Sequence, residues 1–357
     1  MRAPSKAAVV LRPLRRLMQS QQGGLLLVML LLGAALTAFA GSHVDPTSGR
    51  RINNFLNPNT LLQTATDASF FAIMAVGATV VIISGGIDLS VGSVFALSGV
   101  TMAMALRALG PAPTGQTVWV GLFICVGVGL LCGLMNGLIV VGLRVHPFIV
   151  TLGSMWVLRG IAFVASKAES ILVPDSLTGV VKASLGLGRT LSPLPMLAML
   201  AVAACGAVFL SRTVTGRHIF AVGGNAEASR YSGLRIGRIL VAVYATAGLT
   251  AGMAAFLGSA YYGSASCADA TGYELYVIAS AVVGGASLTG GKGNALSAML
   301  GALLIILIRQ SIRTLHFDQN YEWIIIGCAI IVAVVADRVS SGLAARRLTH
   351  AADEVPK

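Results

Sequence analysis

Ten apolar stretches alternate along the chain with short polar or basic connectors. They cover residues 23–42, 64–84, 88–106, 117–143, 148–166, 191–210, 239–262, 274–288, 295–313 and 321–336. Runs of about 17–25 mostly apolar residues have the length of a helix that crosses a bilayer. The pattern predicts ten membrane-spanning helices, the eighth of them short. Between the second and third runs lies Gly85-Gly86-Ile87-Asp88-Leu89-Ser90, paired glycines and an acid between oily flanks. Glycines free backbone groups that hydrocarbon cannot satisfy, so this segment predicts a re-entrant or discontinuous helix lying inside protein.

Composition supports the same class. Of 357 residues, 56% are hydrophobic and 11% charged, and the mean hydropathy is +0.84. Soluble domains carry about 25% charged residues. The fold class is therefore an all-α polytopic membrane protein. A basic amino-terminal segment, 1–22, precedes a transmembrane domain, 23–337, and a tail, 338–357.

The net charge of +12 does not point to nucleic acid. Lys and Arg sit in connectors and at the termini, where lipid head groups are their natural counterpart. With the amino terminus inside, sixteen fall on the cytoplasmic side and eight on the other. That asymmetry predicts a multi-pass chain with both termini in the cytoplasm. Arg12, Arg15 and Arg16 precede a first run that ends in Ala38-Phe39-Ala40, similar to a signal-peptidase site. The run exceeds the 7–15 residues usual for a secretory core, so a retained first helix is expected. Four cysteines, Cys125, Cys132, Cys205 and Cys328, lie in apolar runs and read as packing residues. Cys267 stands alone in a connector.

The chemistry of catalysis is missing. Around Lys292 a nucleotide-binding loop would need Gly at 286 and Ser or Thr at 293, where the chain has Ala286 and Gly293. Neither the H-E-x-x-H nor the G-x-S-x-G pattern occurs. The chain is not expected to be an enzyme. Charges within or beside the runs are Asp67, Asp88, Arg159, Glu274, Arg309 and Glu322. Most fall near run ends, where side chains reach the interface. No mid-run acid invites a proton relay, and the solute is expected to be uncharged.

Four stations stand out. At the first, Gly85 and Gly86 permit a bend and Asp88 before Leu89-Ser90 reads as a helix cap; contact with a solute is the other reading. The second runs from Ala270 to Gly293, with Tyr273 and Glu274 opening the eighth run and Gly284-Gly285 closing it. Here Tyr261, Tyr262, Tyr273 and Tyr276 form either an interfacial aromatic belt or an outer mouth for a polar solute. The third is an echo. "GGIDLSVGS" from Gly85 and "GGASLTGGK" from Gly284 share glycines and a leucine at equal offsets, as internal repeats in transporters do. The fourth is the basic inner connector Ser211–Arg238, where Asn225 can cap a helix from Ala226 to Tyr231 that Gly233 ends. It is either a partner contact or a plain interfacial loop. The outer connectors 43–63 and 167–190 read as turn-rich surface.

Together, "GGIDLSVGSVFALSG", "GRHIFAVGGNAEASRYSGL" and "TGYELYVIASAVVGGASLTGGKG" resemble the ribose-type ABC sugar permeases. The resemblance runs from about Phe55 to about Asp337. It implies a membrane subunit of a monosaccharide importer in a bacterial inner membrane. Such a subunit pairs with a second copy or a related permease. ATP is bound by a separate cytoplasmic ABC ATPase, no cofactor by this chain, and a periplasmic binding protein delivers the sugar. The resemblance places the ATPase-coupling segment on Arg217, Gly223, Gly224, Asn225, Glu227, Arg230 and Gly233. It leaves Gly85, Gly86, Asp88, Ser90, Tyr273, Glu274, Gly284 and Gly285 as candidates for the broken helix or the translocation path. Tyr276 departs from the family, which usually has Asp after "GYEL", and the sugar is not named. The alternative is a stand-alone secondary carrier for a small neutral solute.

Overall fold

The computed structural model describes residues 21–44, 49–183, 192–328, 331–332 and 335. The basic amino-terminal residues 1–20 and the tail from 336 lie outside the described residues. Eight described helices are long and apolar enough to cross a membrane. They are α1 (Gln21–Phe39), α2 (Pro58–Ile83), α3 (Val91–Leu109), α4 (Thr114–Leu143), α5 (Pro147–Ser166), α7 (Leu194–Arg212), α10 (Ile236–Tyr262) and α12 (Ala295–Thr314). Between α5 and α7 lies α6 (Asp175–Val181), and between α7 and α10 lie α8 (Val214–Gly224) and α9 (Ala226–Tyr231). The eighth apolar run forms only α11 (Tyr273–Val283), too short to span. The tenth run is helical over residues 321–328.

The axis of the bundle is α2. Its residues from Ala68 to Ile83 are all buried. It begins earlier than the hydropathy predicts, because Asn57 caps it with a side chain that accepts from the Thr60 N–H, and Pro58 suits the first turn. Around it pack α10, α12, α7 and α11, while α3 joins α4, α5 and α10. The outer helix α1 rests on α12.

The most extensive described helix pair is α4 with α10. Gly129, Gly133 and Gly137 recur every four residues on α4. A Cβ at Gly129 would overlap the Gly248 carbonyl, one at Gly133 the Tyr244 carbonyl, and one at Gly248 the Gly129 carbonyl. The two backbones therefore touch directly, the small-residue packing that membranes favour.

The connectors 43–63 and 167–190 are more ordered than turn-rich surface. β1 (Ser42–Val44) and β2 (Arg51–Asn53) form one antiparallel pair, and β3 (Ile171–Leu172) pairs with β4 (Ser264–Ala265). Leu177 and Val181 of α6 are buried, and α6 packs against α10 and α4. The cysteine expectation divides. Cys125 and Cys132 are buried, but Cys205 and Cys328 lie on exposed helix faces. Helical periodicity puts part of every apolar run outward, and lipid tolerates a thiol there.

Candidate functional site

The first break spans residues 84–90 between α2 and α3. Gly85 has φ +85°, a conformation glycine adopts without strain. The N–H groups of Gly85 and Gly86 donate to the Ile82 and Val81 carbonyls, closing α2. Asp88 is buried, and its Oδ1 accepts from the Ser90 N–H (2.8 Å) and from Ser90 Oγ (2.6 Å). Asn136 Nδ2 on α4 donates to Ser90 Oγ at 2.8 Å. From α5, Thr151 Oγ1 donates to the Ile87 carbonyl at 3.2 Å. The carboxylate is thus an Asx-type brace on Ser90, the residue preceding α3, and stands two positions before that cap position instead of occupying it. Asn136, a buried amide in the apolar interior of the 30-residue helix α4, is the partner that the sequence alone did not single out. Its position in mid-run was the available signal.

A second break follows α11 and repeats the first in hydrogen bonding. The N–H groups of Gly285 and Ala286 donate to the Val282 and Ala281 carbonyls, and Gly285 has φ +88°. The echo therefore aligns Gly85 with Gly285, one residue away from the register read in the sequence. Gly284 serves close packing instead: a Cβ there would sit 2.5 Å from the Ser297 carbonyl of α12. The "SLTGGKG" turn is tight, with Gly290 at φ +82° and Gly291 at φ +72°.

The basic connector Ser211–Arg238 carries two helices, not one. Asn225 caps α9 as read, accepting from the Ala228 N–H at 2.9 Å, and Gly233 follows at φ +82°. The preceding α8 was not foreseen. Thr213 caps it by accepting from the Gly216 N–H at 3.0 Å. Its amphipathic eleven residues carry too little apolar length to register as a run. Arg217, Glu227 and Arg230 lie on exposed faces of this pair. Gly223 faces inward. A Cβ on it would overlap the Ile83 carbonyl oxygen, and one on Gly290 would lie 2.6 Å from the Gly223 carbonyl. The Gly291 N–H donates to the same Ile83 carbonyl at 2.8 Å. The end of α8, the end of α2 and the turn after α11 therefore meet backbone to backbone. Gly224 meets nothing within 4 Å on its open side.

On the opposite side the connector from Gly263 to Gly272 runs inward along α3. Ala265 lies beside Gly99, and the Ala270 carbonyl lies beside Gly92. Arg159 of α5 holds it, with Nη1 donating to the Cys267 (2.7 Å) and Asp269 (2.6 Å) carbonyls. Glu274 Oε2 stands against Gly92. This inward path explains why α11 is half-length: the connector consumes the depth that a full helix would use.

The tyrosines pack against the phenylalanines of α2 at differing depths, with Tyr276 buried, Tyr261 and Tyr273 half-buried and Tyr262 exposed. The Tyr273 ring lies 4.3 Å from that of Phe71, and Tyr261 and Tyr262 lie 6.0 and 5.8 Å from Phe70. Tyr276 is buried and donates its hydroxyl to Glu322 at 2.5 Å. Arg309 Nε lies 3.0 Å from the same Glu322 oxygen. Arg313 reaches Asp67 at 3.8 Å, and Tyr262 Oη donates to Asp67 at 3.4 Å. So the charges at run ends pair across α2, α10, α12 and residues 321–328 instead of each reaching singly to the interface. No cluster of three or more His, Cys, Asp or Glu that would hold a metal occurs among the described residues.

Residues 60–334 match the family model described as a branched-chain amino acid transport system permease component. The chain is 36% identical to the ribose import permease protein of Escherichia coli (strain K12), over 80% of this chain and 87% of that protein. It is 34% identical to the D-allose transport system permease protein of the same organism, over 80% and 86%. It is 30% identical to the fructose import permease protein of Rhizobium meliloti, over 80% and 79%. The matched region takes in both helix breaks and the α8–α9 pair, and the chain belongs to this family of transport permease components, as a relative of the ribose-type import permeases.

Proposed function

We propose that this chain is the membrane-spanning subunit of an ABC importer that moves a monosaccharide into the cytoplasm of a bacterium across its inner membrane. The observation that carries the reading is the three-way glycine junction. A cytoplasmic helix pair with an exposed basic face (Arg217, Arg230) is seated, through Gly223, on the ends of two broken-helix elements. A force applied to α8 and α9 by a soluble partner is delivered to the Ile83 carbonyl and to the Gly290-Gly291 turn. From there it passes along α2 and α11 to the tyrosine and ion-pair cluster, which meets the middle of α2 and the start of α11.

A separate ATPase supplies that force, consistent with the missing nucleotide-binding loop. A binding protein on the opposite face delivers the sugar, and a second copy of this chain or a related permease completes the pathway. The relatives named for ribose, allose and fructose support a monosaccharide as cargo. Alternation between inward- and outward-open states requires the ATPase to hold α8 and α9 differently in the two states.

The test is affinity purification of the tagged chain from native membranes in mild detergent, with mass spectrometry of the proteins that come with it. The expected result is a nucleotide-binding ABC subunit near one-to-one stoichiometry. A chain that purifies alone and transports solute when reconstituted by itself is a secondary carrier, and the proposal fails.

A further inference from the structure

An unassigned groove of about 550 Å3 opens between the end of α4 and the start of α10. Its floor is Leu138, Val141 and Val241, and its mouth is Arg235 and Arg238. Both arginines are exposed, and neither takes part in an ion pair among the described residues. No acid occurs in the sequence between Asn136 and Lys167 or between Arg230 and Ala268, so neither helix brings a neutralising partner. The helix register adds a third charge. Gly133 meets Tyr244, Gly137 meets Val241, and Gly237 meets Val141. One further turn brings exposed Arg144 level with the start of α10.

We infer that this groove binds an anionic phospholipid, with acyl carbons on the apolar floor and the phosphate between Arg235 and Arg238. Three features fit that occupant. The floor residues belong to the membrane-spanning lengths of α4 and α10, where lipid and not a soluble protein is the neighbour. Basic pockets between membrane helices on the cytoplasmic side take anionic head groups. The first turn of α10 has no side-chain cap, so its N–H groups add to the positive field. A second copy fits poorly, because a two-fold contact here would set the arginines of both copies against each other.

The lipid would tie the start of α10, directly after α9, to the membrane surface. The assignment to the cytoplasmic leaflet rests on the importer reading; the binding itself does not.

The purified full chain would be exchanged into mixtures of dioleoylphosphatidylglycerol and dioleoylphosphatidylcholine, and retained lipid measured by native mass spectrometry. Preferential retention of the phosphatidylglycerol is expected. R235A/R238A should weaken it roughly thirtyfold, at about fivefold per arginine. R235K/R238K should keep most of it, which separates charge from misfolding. L138W changes an exposed residue that lines the groove and should exclude the lipid with both arginines intact. Millimolar inorganic phosphate should not displace the lipid; displacement would mean that the ion alone is recognised and would overturn the proposal. Equal retention of the two lipids, unchanged retention in R235A/R238A, or a disulfide-linked dimer from L138C would overturn it as well. Any of these would leave the importer reading standing. Failure of the importer reading would leave the bound lipid and remove only the choice of leaflet.

Discussion

At Asp88 the carboxylate serves two donors on one residue, and that residue in turn receives Asn136. Removing it strands buried donors, each costing about 1–3 kcal/mol. Asp88→Ala should therefore lower the melting temperature of the detergent-solubilised protein clearly more than Asp88→Asn, which keeps an acceptor. Neither should alter sugar preference, and a changed preference at normal abundance would give the carboxylate a solute contact instead. Two neighbouring glycines at the end of α8 should behave oppositely. Gly223→Ala has no room at the Ile83 carbonyl, whereas Gly224→Ala meets open space. Uptake in membrane vesicles should fall by more than about tenfold in the first, the equivalent of about 1.4 kcal/mol, and stay within about twofold in the second. Both proteins should remain in the membrane. Equal uptake by the two variants would remove Gly223 from the coupling path.

The elements divide into those whose signal is local and those whose signal is not. The long helices were legible because hydropathy over about twenty residues is a local property. The α9 helix was legible from its Asn225 cap and Gly233 stop. The α8 helix was not, since eleven amphipathic residues in a basic connector look like loop until packing selects them. The pairing of Arg313 with Asp67 joins residues far apart in the chain, and that of Arg309 with Glu322 crosses the turn after α12, so neither follows from local hydropathy. The breaks were visible as glycine pairs, but the register of their echo was not, because hydrogen bonding and not residue identity fixes which glycine takes the left-handed turn. The inward connector from Gly263 to Gly272 was half visible, as a run too short to span. Its anchor is testable. In a background where Cys267 is the sole cysteine, the thiol is buried and should resist maleimide. Arg159→Ala frees the carbonyls of Cys267 and Asp269, and labelling should speed by about an order of magnitude, the scale of one charged hydrogen bond. Labelling at the original rate would mean the strand pair β3–β4 suffices to hold the connector.

For the whole molecule, α2 connects the two functional regions. It carries Asp67, Phe70 and Phe71 in its middle third and the Ile83 carbonyl at its end. The breaks place glycine turns where α8 and α9 press, and the aromatic and ionic cluster lies further along α2 and at the start of α11. The stability of this arrangement depends on the α4–α10 contact. Gly133→Leu puts a side chain where the Tyr244 carbonyl now lies. Its cost should exceed about 4 kcal/mol, the range where overpacked cores fail. The variant should disappear from the membrane fraction on an immunoblot, while Gly153→Leu, on an open face of α5, should accumulate normally. Similar amounts of both would mean that the glycine seam can spread to admit a side chain.

Helices meshed at backbone distance behave like keyed shafts. Nothing soft lies between α4 and α10 to yield, so they can tilt together but slip past one another only in steps of a whole turn, about 5.4 Å. Whatever opens and closes a passage in this protein must then do so along seams filled by side chains, such as the tyrosine-lined flank of α2, or by rocking the α4–α10 pair as one plate.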